Sequence, residues 1–320
     1  DGVDCVIVNL NYSEKDKLYF DIIEKNTFQI PVDLRNEISS VVLNPHQDFK
    51  SLHQKLGLFY LSCTYKMIKI KNLELIAFHG QTIYHEERVK SIQIGNPEPL
   101  FKHFNIPIIY NFRKADIEVG GTGAPLMPFL DWAILRKSGF NDITLNIGGI
   151  SNITFVPRDG KRDSVIGFDT GPGMALIDEC CLRFWNKPFD ENGKFSENGI
   201  IIHKLLNELM DHPFIKMEFP KSTGRDVFGE KFVKKIVQRY LDENPNDILR
   251  TFVAFTAKSI SDNLKKVCNF SPLVSRLIVS GGGIHHPILM NDLKIYSGIN
   301  EIYDSTILDV DPDYKEALLI

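Results

Sequence analysis

From Val3 to Leu10 the chain is rich in β-forming residues, and Leu18 to Lys25 repeats that character after the polar turn Asn11 to Lys17. This predicts an antiparallel pair of strands. Between about Pro31 and Met67 the apolar positions recur at helical spacing and are interrupted near Asn44 and Pro45, so two helices are predicted. Shorter pieces follow: a buried strand over Leu75–Phe78, a strand over Ser91–Ile94, a helix over Glu98–Phe104 and a strand over Ile106–Tyr110. That alternation is the rhythm of an α/β fold. Asp116 to Pro128 then holds Gly120, Gly121, Gly123, Pro125 and Pro128, backbone punctuation that suits a loop or hinge. The second half restarts the same grammar with strands over Ile143–Ile147, Ile153–Val156 and Val165–Phe168 and a helix over Ala175–Phe184. A long periodic helix, Ile248–Val267, leads to a strand over Leu277–Val279, three glycines and a helix from about Pro287. Two domains are expected, residues 1–127 and 128–320, with the last helix returning toward the first.

Composition changes this picture little. At 320 residues the chain exceeds what one core usually serves. A formal charge of -4 without a long Lys/Arg run gives no field for a polyanion, so nucleic acid is not expected as a partner. No run of about 18 apolar residues spans a bilayer, and no signal-like N-terminus is seen, so a cytoplasmic location away from membranes is expected. Cys5, Cys63, Cys180, Cys181 and Cys268 are odd in number and lack C-x-x-C spacing, which fits reduced core thiols and not a metal site.

Three glycine segments carry candidate chemistry. In Leu145 to Thr154 two apolar strands flank Gly148-Gly149, a turn that can present backbone N–H groups to phosphate or can simply close a hairpin. Val279 to Pro287 runs a strand into Gly281-Gly282-Gly283 and a helix start, where a flat or anionic ligand can approach the backbone. Neither a dinucleotide fingerprint nor a Walker loop exists in the chain. Gly167 to Gly173 delivers Asp169 to the C-terminal end of a strand, the edge where α/β sheets bind ligands. Asp169 is therefore a candidate general base, with a turn cap as the alternative. His79-Gly80-Gln81-Thr82 and Asn111 to Asp116, including Arg113, place polar side chains at predicted strand ends. Lys221 to Asp226 adds two cations and two hydroxyls at a predicted helix start, where Arg225 could pair a carboxylate bidentately.

In this order the segments resemble the anhydro-N-acetylmuramic acid kinase family. The likeness runs from Asp1-Gly2-Val3-Asp4 through His79 to Thr82, Gly120 to Leu126, Asn146 to Asn152, Gly167 to Gly173, Lys221 to Asp226 and Gly281 to Pro287 to Lys315-Glu316-Ala317. It implies an α/β actin-like fold of two RNase H-like domains that close over ATP, magnesium and a bicyclic sugar. Asp1, Gly2, Val3 and Asp4 would be the tail of one phosphate loop, Gly148 and Gly149 with Asn152 the second, and Gly281, Gly282 and Gly283 would adjoin adenosine. Asp169 would activate water at the anomeric carbon, with Glu316 as a second acidic residue near that water. His79, Gly80, Gln81, Thr82, Arg113, Asp116, Gly171 and Arg225 fall in segments expected to meet the sugar. No metal site made of protein side chains alone is expected, and a homodimer is left open.

Two departures stand out. Met174 follows Gly-Pro-Gly where the family usually has asparagine, and the family's Ser-Gly-Thr-Ser type stretch before Asp1 and its helix after Ala317 are absent from the sequence. A partial sequence is the expected reason. Related levoglucosan kinases resemble the same motifs but act on a sugar without the lactyl carboxylate, and a non-catalytic ATP- or sugar-binding protein is a third reading.

Overall fold

The structure, a computed structural model, describes residues 2–12, 18–67, 73–269, 275–299 and 301–320. Asp1, expected at the nucleotide, lies outside them. The chain divides into two compact units, Asp1–Leu126 with Glu316–Ile320, and Met127–Lys315.

In the first unit β1 (Gly2–Tyr12) and β2 (Leu18–Gln29) form an antiparallel pair with Gly2 opposite Gln29. Helices α1 (Val32–Leu43) and α2 (Lys50–Met67) flank the break at Asn44-Pro45. Their apolar stripes, Leu34, Ile38 and Val41 with Leu52 and Leu56, join Ile83 and Ile94 in one core. Then come β3 (Ile76–Ala77), β4 (Gln81–Glu86), β5 (Lys90–Ile94), α3 (Glu98–Phe104), β6 (Ile108–Ile109) and α4 (Phe112–Glu118). Among the described residues these strands pair two by two, β1 with β2, β3 with β6 and β4 with β5. Strands β3 and β6 are shorter than the sequence predicts. Pro107 has no N–H to give a ladder, and Asn111 at φ 62 turns the chain out of β geometry soon after Ile109. Arg113 and Asp116 therefore sit on α4 and not at a strand end.

The second unit opens on α5 (Met127–Leu135), so Pro128 begins a helix instead of closing the predicted loop. Strands β7 (Asn141–Ile147), β8 (Ile150–Val156) and β9 (Ile166–Pro172) form an antiparallel meander. Helices α6 (Ala175–Trp185), α7 (His203–Met210), α8 (Pro213–Lys216), α9 (Glu230–Arg239) and α10 (Pro245–Asn269) follow. The unit ends with β10 (Ser275–Ser280), α11 (Pro287–Ser297), β11 (Ile302–Asp304) and the first residue of α12 (Lys315–Leu319). The sheet order β11-β10-β7-β8-β9, with β10 parallel to both β7 and β11, is the RNase H-like order. Alternation sets its two faces: Ile143, Leu145 and Ile147 of β7 enter the main core with Ile153, Phe168 and Val279. Asp142, Thr144 and Asn146 take the other face, where Thr144 donates to Asp131 of α5.

Helix α10 is buried on most sides and central to this core, with Phe252, Val253, Phe255, Ile260 and Leu264 fully buried. Among the described residues no helix is long and apolar enough to cross a membrane. Cys63, Cys180 and Cys181 are buried free thiols and Cys5 is a half-buried one.

Candidate active site

The register of the second sheet brings a polar row together. Asp169 on β9 stands opposite Asn152 on β8, Asn152 opposite Asn146 on β7, and Asn146 opposite Ser280 on β10. The predicted strand ended at Phe168, but β9 continues to Pro172 because Gly171 and Pro172 pair with Ser151 and Ile150. Asp169 is thus a strand residue and not a turn cap. Its N–H donates to the Lys221 carbonyl at 2.9 Å. Its Oδ2 accepts from Ser222 Oγ and from the Thr223 N–H, both at 2.9 Å. Among the described residues no group bonds Oδ1. Burial raises the Asp169 carboxyl above its ordinary range, and the bonds from Thr223 and Ser222 partly offset that rise.

Lys221 explains why those donors are in place. Its buried ammonium donates to the carbonyls of Phe214, Ile215 and Met217 at 3.2, 3.3 and 3.1 Å, which closes the end of α8. Burial pushes its pKa down to about 8. Phe219 stacks on Phe168 with ring centroids 4.7 Å apart, which presses the same loop onto β9. The sequence placed a helix start here; the loop instead runs to Gly229, and α9 begins at Glu230.

Helix α10 grips the other end of the strand. Thr256 Oγ1 donates to the Gly173 carbonyl at 3.0 Å and Asn263 Nδ2 to the Thr170 carbonyl at 3.2 Å. A Cβ on Gly171 would lie 3.0 Å from Ser259 Oγ, so this glycine serves the close approach of β9 to α10.

The two glycine turns stand side by side. The N–H groups of Gly173 and Ala175 donate to the Gly149 carbonyl, and that of Met174 to the Gly148 carbonyl. With its carbonyls engaged in this way, the turn has N–H groups to offer an anion. The Arg225 guanidinium lies over Gly149, within 2.9 Å of where a Cβ would stand. Gly281, at φ 82, follows Ser280 and packs against Asn146 and the Ile147 carbonyl, while the space beside Gly282 is open. A planar ring can reach the backbone there.

Residue Asp178 on α6 was not among the sequence candidates. Among the described residues no group bonds its buried Oδ1. Burial pushes its carboxyl up to about 6, against the pull of Arg225.

In the first unit a cavity of about 790 Å³ is lined by Phe78, His79, Gly80, Gln93, Asn96 and Tyr110, among others. His79 Nε2 accepts from Arg113 Nε at 2.9 Å, so Nδ1 carries the proton and donates to the Gly80 carbonyl, also at 2.9 Å. Burial and the adjacent Arg113 lower the His79 pKa and keep the ring neutral. Arg113 Nη1 donates to the Gly123 carbonyl, and Glu316 opposes the effect of burial on that guanidinium.

Several of the residues expected at ligands have partners within the protein. Gln81 Nε2 donates to the neighbouring Thr82 carbonyl, and Thr82 Oγ1 accepts from Gln93. Asp116 accepts from the Gly123 N–H at 2.8 Å and holds the glycine loop. None of Gln81, Thr82, Arg113 or Asp116 lines the cavity. Gly2, Val3 and Asp4 lie on β1, where Asp4 accepts from Thr27 at 2.6 Å. The lining residues His53, Asn96 and Tyr110 escaped the sequence reading, although Gly95-Asn96-Pro97 between a strand and a helix was a visible signal.

These residues fit the expected cofactors differently. The glycine turns and Arg225 suit nucleotide phosphates. Among the described residues no group of three or more His, Cys, Asp or Glu could hold a metal.

Backbone turns able to receive phosphate, one strand away from a carboxylate with an oxygen unbonded among the described residues, suit a kinase of hydroxylated small molecules. The chain belongs to the anhydro-N-acetylmuramic acid kinase family, whose model matches residues 1–320. Two Bacillus cereus proteins carrying that family name are 36% identical over 308 residues and 35% identical over 331 residues. The matches cover 92% and 99% of this chain and 80% and 84% of those proteins. A solved activator of 2-hydroxyisocaproyl-CoA dehydratase from Clostridium difficile, with bound ADPNP, is similar at a TM-score of 0.44 and 11% identity over 98% of this chain and 92% of that one.

Proposed function

We propose that the protein is an ATP-dependent kinase that opens the 1,6-anhydro ring of anhydro-N-acetylmuramic acid and phosphorylates its 6-oxygen. The product is N-acetylmuramate 6-phosphate, formed in peptidoglycan recycling in the cytoplasm. The observation that carries this reading is Asp169, a buried carboxylate with one oxygen held by two donors and the other unclaimed among the described residues.

In this mechanism Asp169 Oδ1 takes a proton from water as the water oxygen bonds to the anomeric carbon. The bond from that carbon to the bridging oxygen breaks, and the bridging oxygen, still on carbon 6, bonds to the γ-phosphorus as ADP leaves. Ser222 and Thr223 orient the carboxylate, and the Gly148-Gly149 turn with Arg225 binds phosphate oxygens. Magnesium carried on the nucleotide would supply charge neutralisation at those oxygens. The first-unit cavity, with the faces of Phe78 and Tyr110 beside the polar edges of His79 and Asn96, suits a sugar ring. Arg113 is the cation proposed for the lactyl carboxylate, and Glu316 a second acid near the water.

The test is turnover with magnesium-ATP on anhydro-N-acetylmuramic acid and levoglucosan in parallel. Faster turnover of the first, with the 6-phosphate as product, is expected. Faster turnover of levoglucosan would overturn the substrate, and phosphorylation without ring opening would overturn the role of Asp169.

A further inference from the structure

Lys315 and Asp131 form an ion pair, Nζ to Oδ1 at 2.6 Å, with side chains only 3% and 1% exposed. The other oxygen of Asp131 accepts from Thr144 Oγ1, also at 2.6 Å, and Thr144 is buried in β7. Exchanging such a pair for apolar residues of similar volume is commonly neutral, or stabilising by about 1–4 kcal/mol. Stability is therefore a poor account of it.

Position is a better one. The chain passes out of the first unit between Leu126 and Met127 and returns between Lys315 and Glu316. Asp131 stands about one turn into α5, which starts at the first crossing, and Lys315 is the last residue before the second. Both crossings are thus fastened to one another inside the second unit. Thr144 fastens them in turn to β7, two residues ahead of Asn146 on the same face of a strand that ends at the Gly148-Gly149 turn.

We propose that the Asp131–Lys315 pair, seated on Thr144, is a positioning device that holds the peptide from which Glu316 projects against the strand that bears the phosphate turn. This rests on the reading of Glu316 as the second acid of the site. A misplacement of about 1 Å in a reacting constellation can cost on the order of 10²-fold in rate, so a rigid anchor one residue away has a kinetic consequence.

The test compares wild type, Glu316→Gln and a triple variant, Asp131→Leu with Thr144→Val and Lys315→Met, which removes every partner of the buried charge together. The triple variant should melt at or above wild type, lose about tenfold or more in kcat, and keep KM for ATP within about threefold. Adding Glu316→Gln to it should cost no more than about twofold further, because both changes act through one group. If the triple variant does not fold, Asp131→Asn, which keeps the shape and weakens the pair, is judged by the same kcat and KM criteria. Wild-type kcat in the variant, alongside a crippled Glu316→Gln, overturns the positioning role alone. Wild-type turnover by Glu316→Gln removes that residue from the chemistry and overturns the proposal with it.

Discussion

Ser222→Ala removes one of the two bonds that Asp169 Oδ2 accepts and leaves the Thr223 N–H in place. A hydrogen bond to an ionised group contributes about 1.5–3 kcal/mol, and about 1.4 kcal/mol corresponds to one pKa unit. Because the bond is made to the charged form, its loss raises the Asp169 carboxyl further above its ordinary range, beyond the rise that burial already causes. A general base acts deprotonated, so the acidic limb of kcat against pH should move upward. At a pH below both limbs the variant should be about 10–100-fold slower than wild type, and on the alkaline plateau within about threefold of it. Thermal melts at both pH values separate this from misfolding. The stability sign is also fixed: a carboxyl whose folded pKa exceeds its unfolded one takes up a proton on folding. Stability from this site therefore falls as pH rises between the two values, and the variant should extend that fall to higher pH. An unmoved limb in a folded variant would refute the assignment of Asp169 as the titrating base held by Ser222.

Three further outcomes are expected. Asp169→Asn should fold, because asparagine keeps an acceptor for Ser222 and Thr223, yet lose about 10²–10⁴ in kcat with ATP affinity intact by calorimetry; less than a tenfold loss would return Asp169 to a structural role. Gly281→Ala forces a side chain into φ 82 with its Cβ 2.8 Å from the Ile147 carbonyl, so chemical denaturation should report a loss of about 1–3 kcal/mol, and an unchanged midpoint would mean the turn relaxes freely. Asp178 titrates at about 6, above its unfolded value, so its ionisation subtracts stability at higher pH. Asp178→Asn should accordingly raise the melting temperature at about pH 8 and not at about pH 4, and an equal shift at both would exclude that cause.

Long periodic elements were legible in the sequence because burial imposes their spacing. The helical stripe Leu34-Ile38-Val41, the break at Asn44-Pro45 and the buried strand Ile143 to Ile147 all follow from local pattern. The glycine turns were legible for a related reason, since so few residues tolerate their backbone. What pattern could not supply was pairing across distance. Ser222 and Thr223 meet Asp169 only because Lys221 caps α8, and a buried lysine reads in sequence as a surface cation. The polar stripe Thr256, Ser259 and Asn263 lies within a helix that hydrophobic spacing alone defines, so its grip on Thr170 to Gly173 needed β9 as a partner to become visible. The protein partners of Gln81, Thr82 and Asp116, which are Thr82, Gln93 and Gly123, were not legible in the sequence either, because side-chain bonds of this kind leave no periodic trace.

Gly173 has no freedom left in any direction. Its N–H is committed to the Gly149 carbonyl and its own carbonyl to Thr256, and a Cβ there would strike the Gly148 carbonyl. The Gly148-Gly149 turn and the end of the strand that bears Asp169 are therefore geared together: a shift in one is transmitted to the other without slack. Such a coupling suits a reaction in which ring opening and phosphoryl transfer must coincide, but it also limits how the protein can change. On the roles proposed above, re-aiming Asp169 along its strand would drag the Gly148-Gly149 turn with it, so a change in either has to be matched by a change in the other.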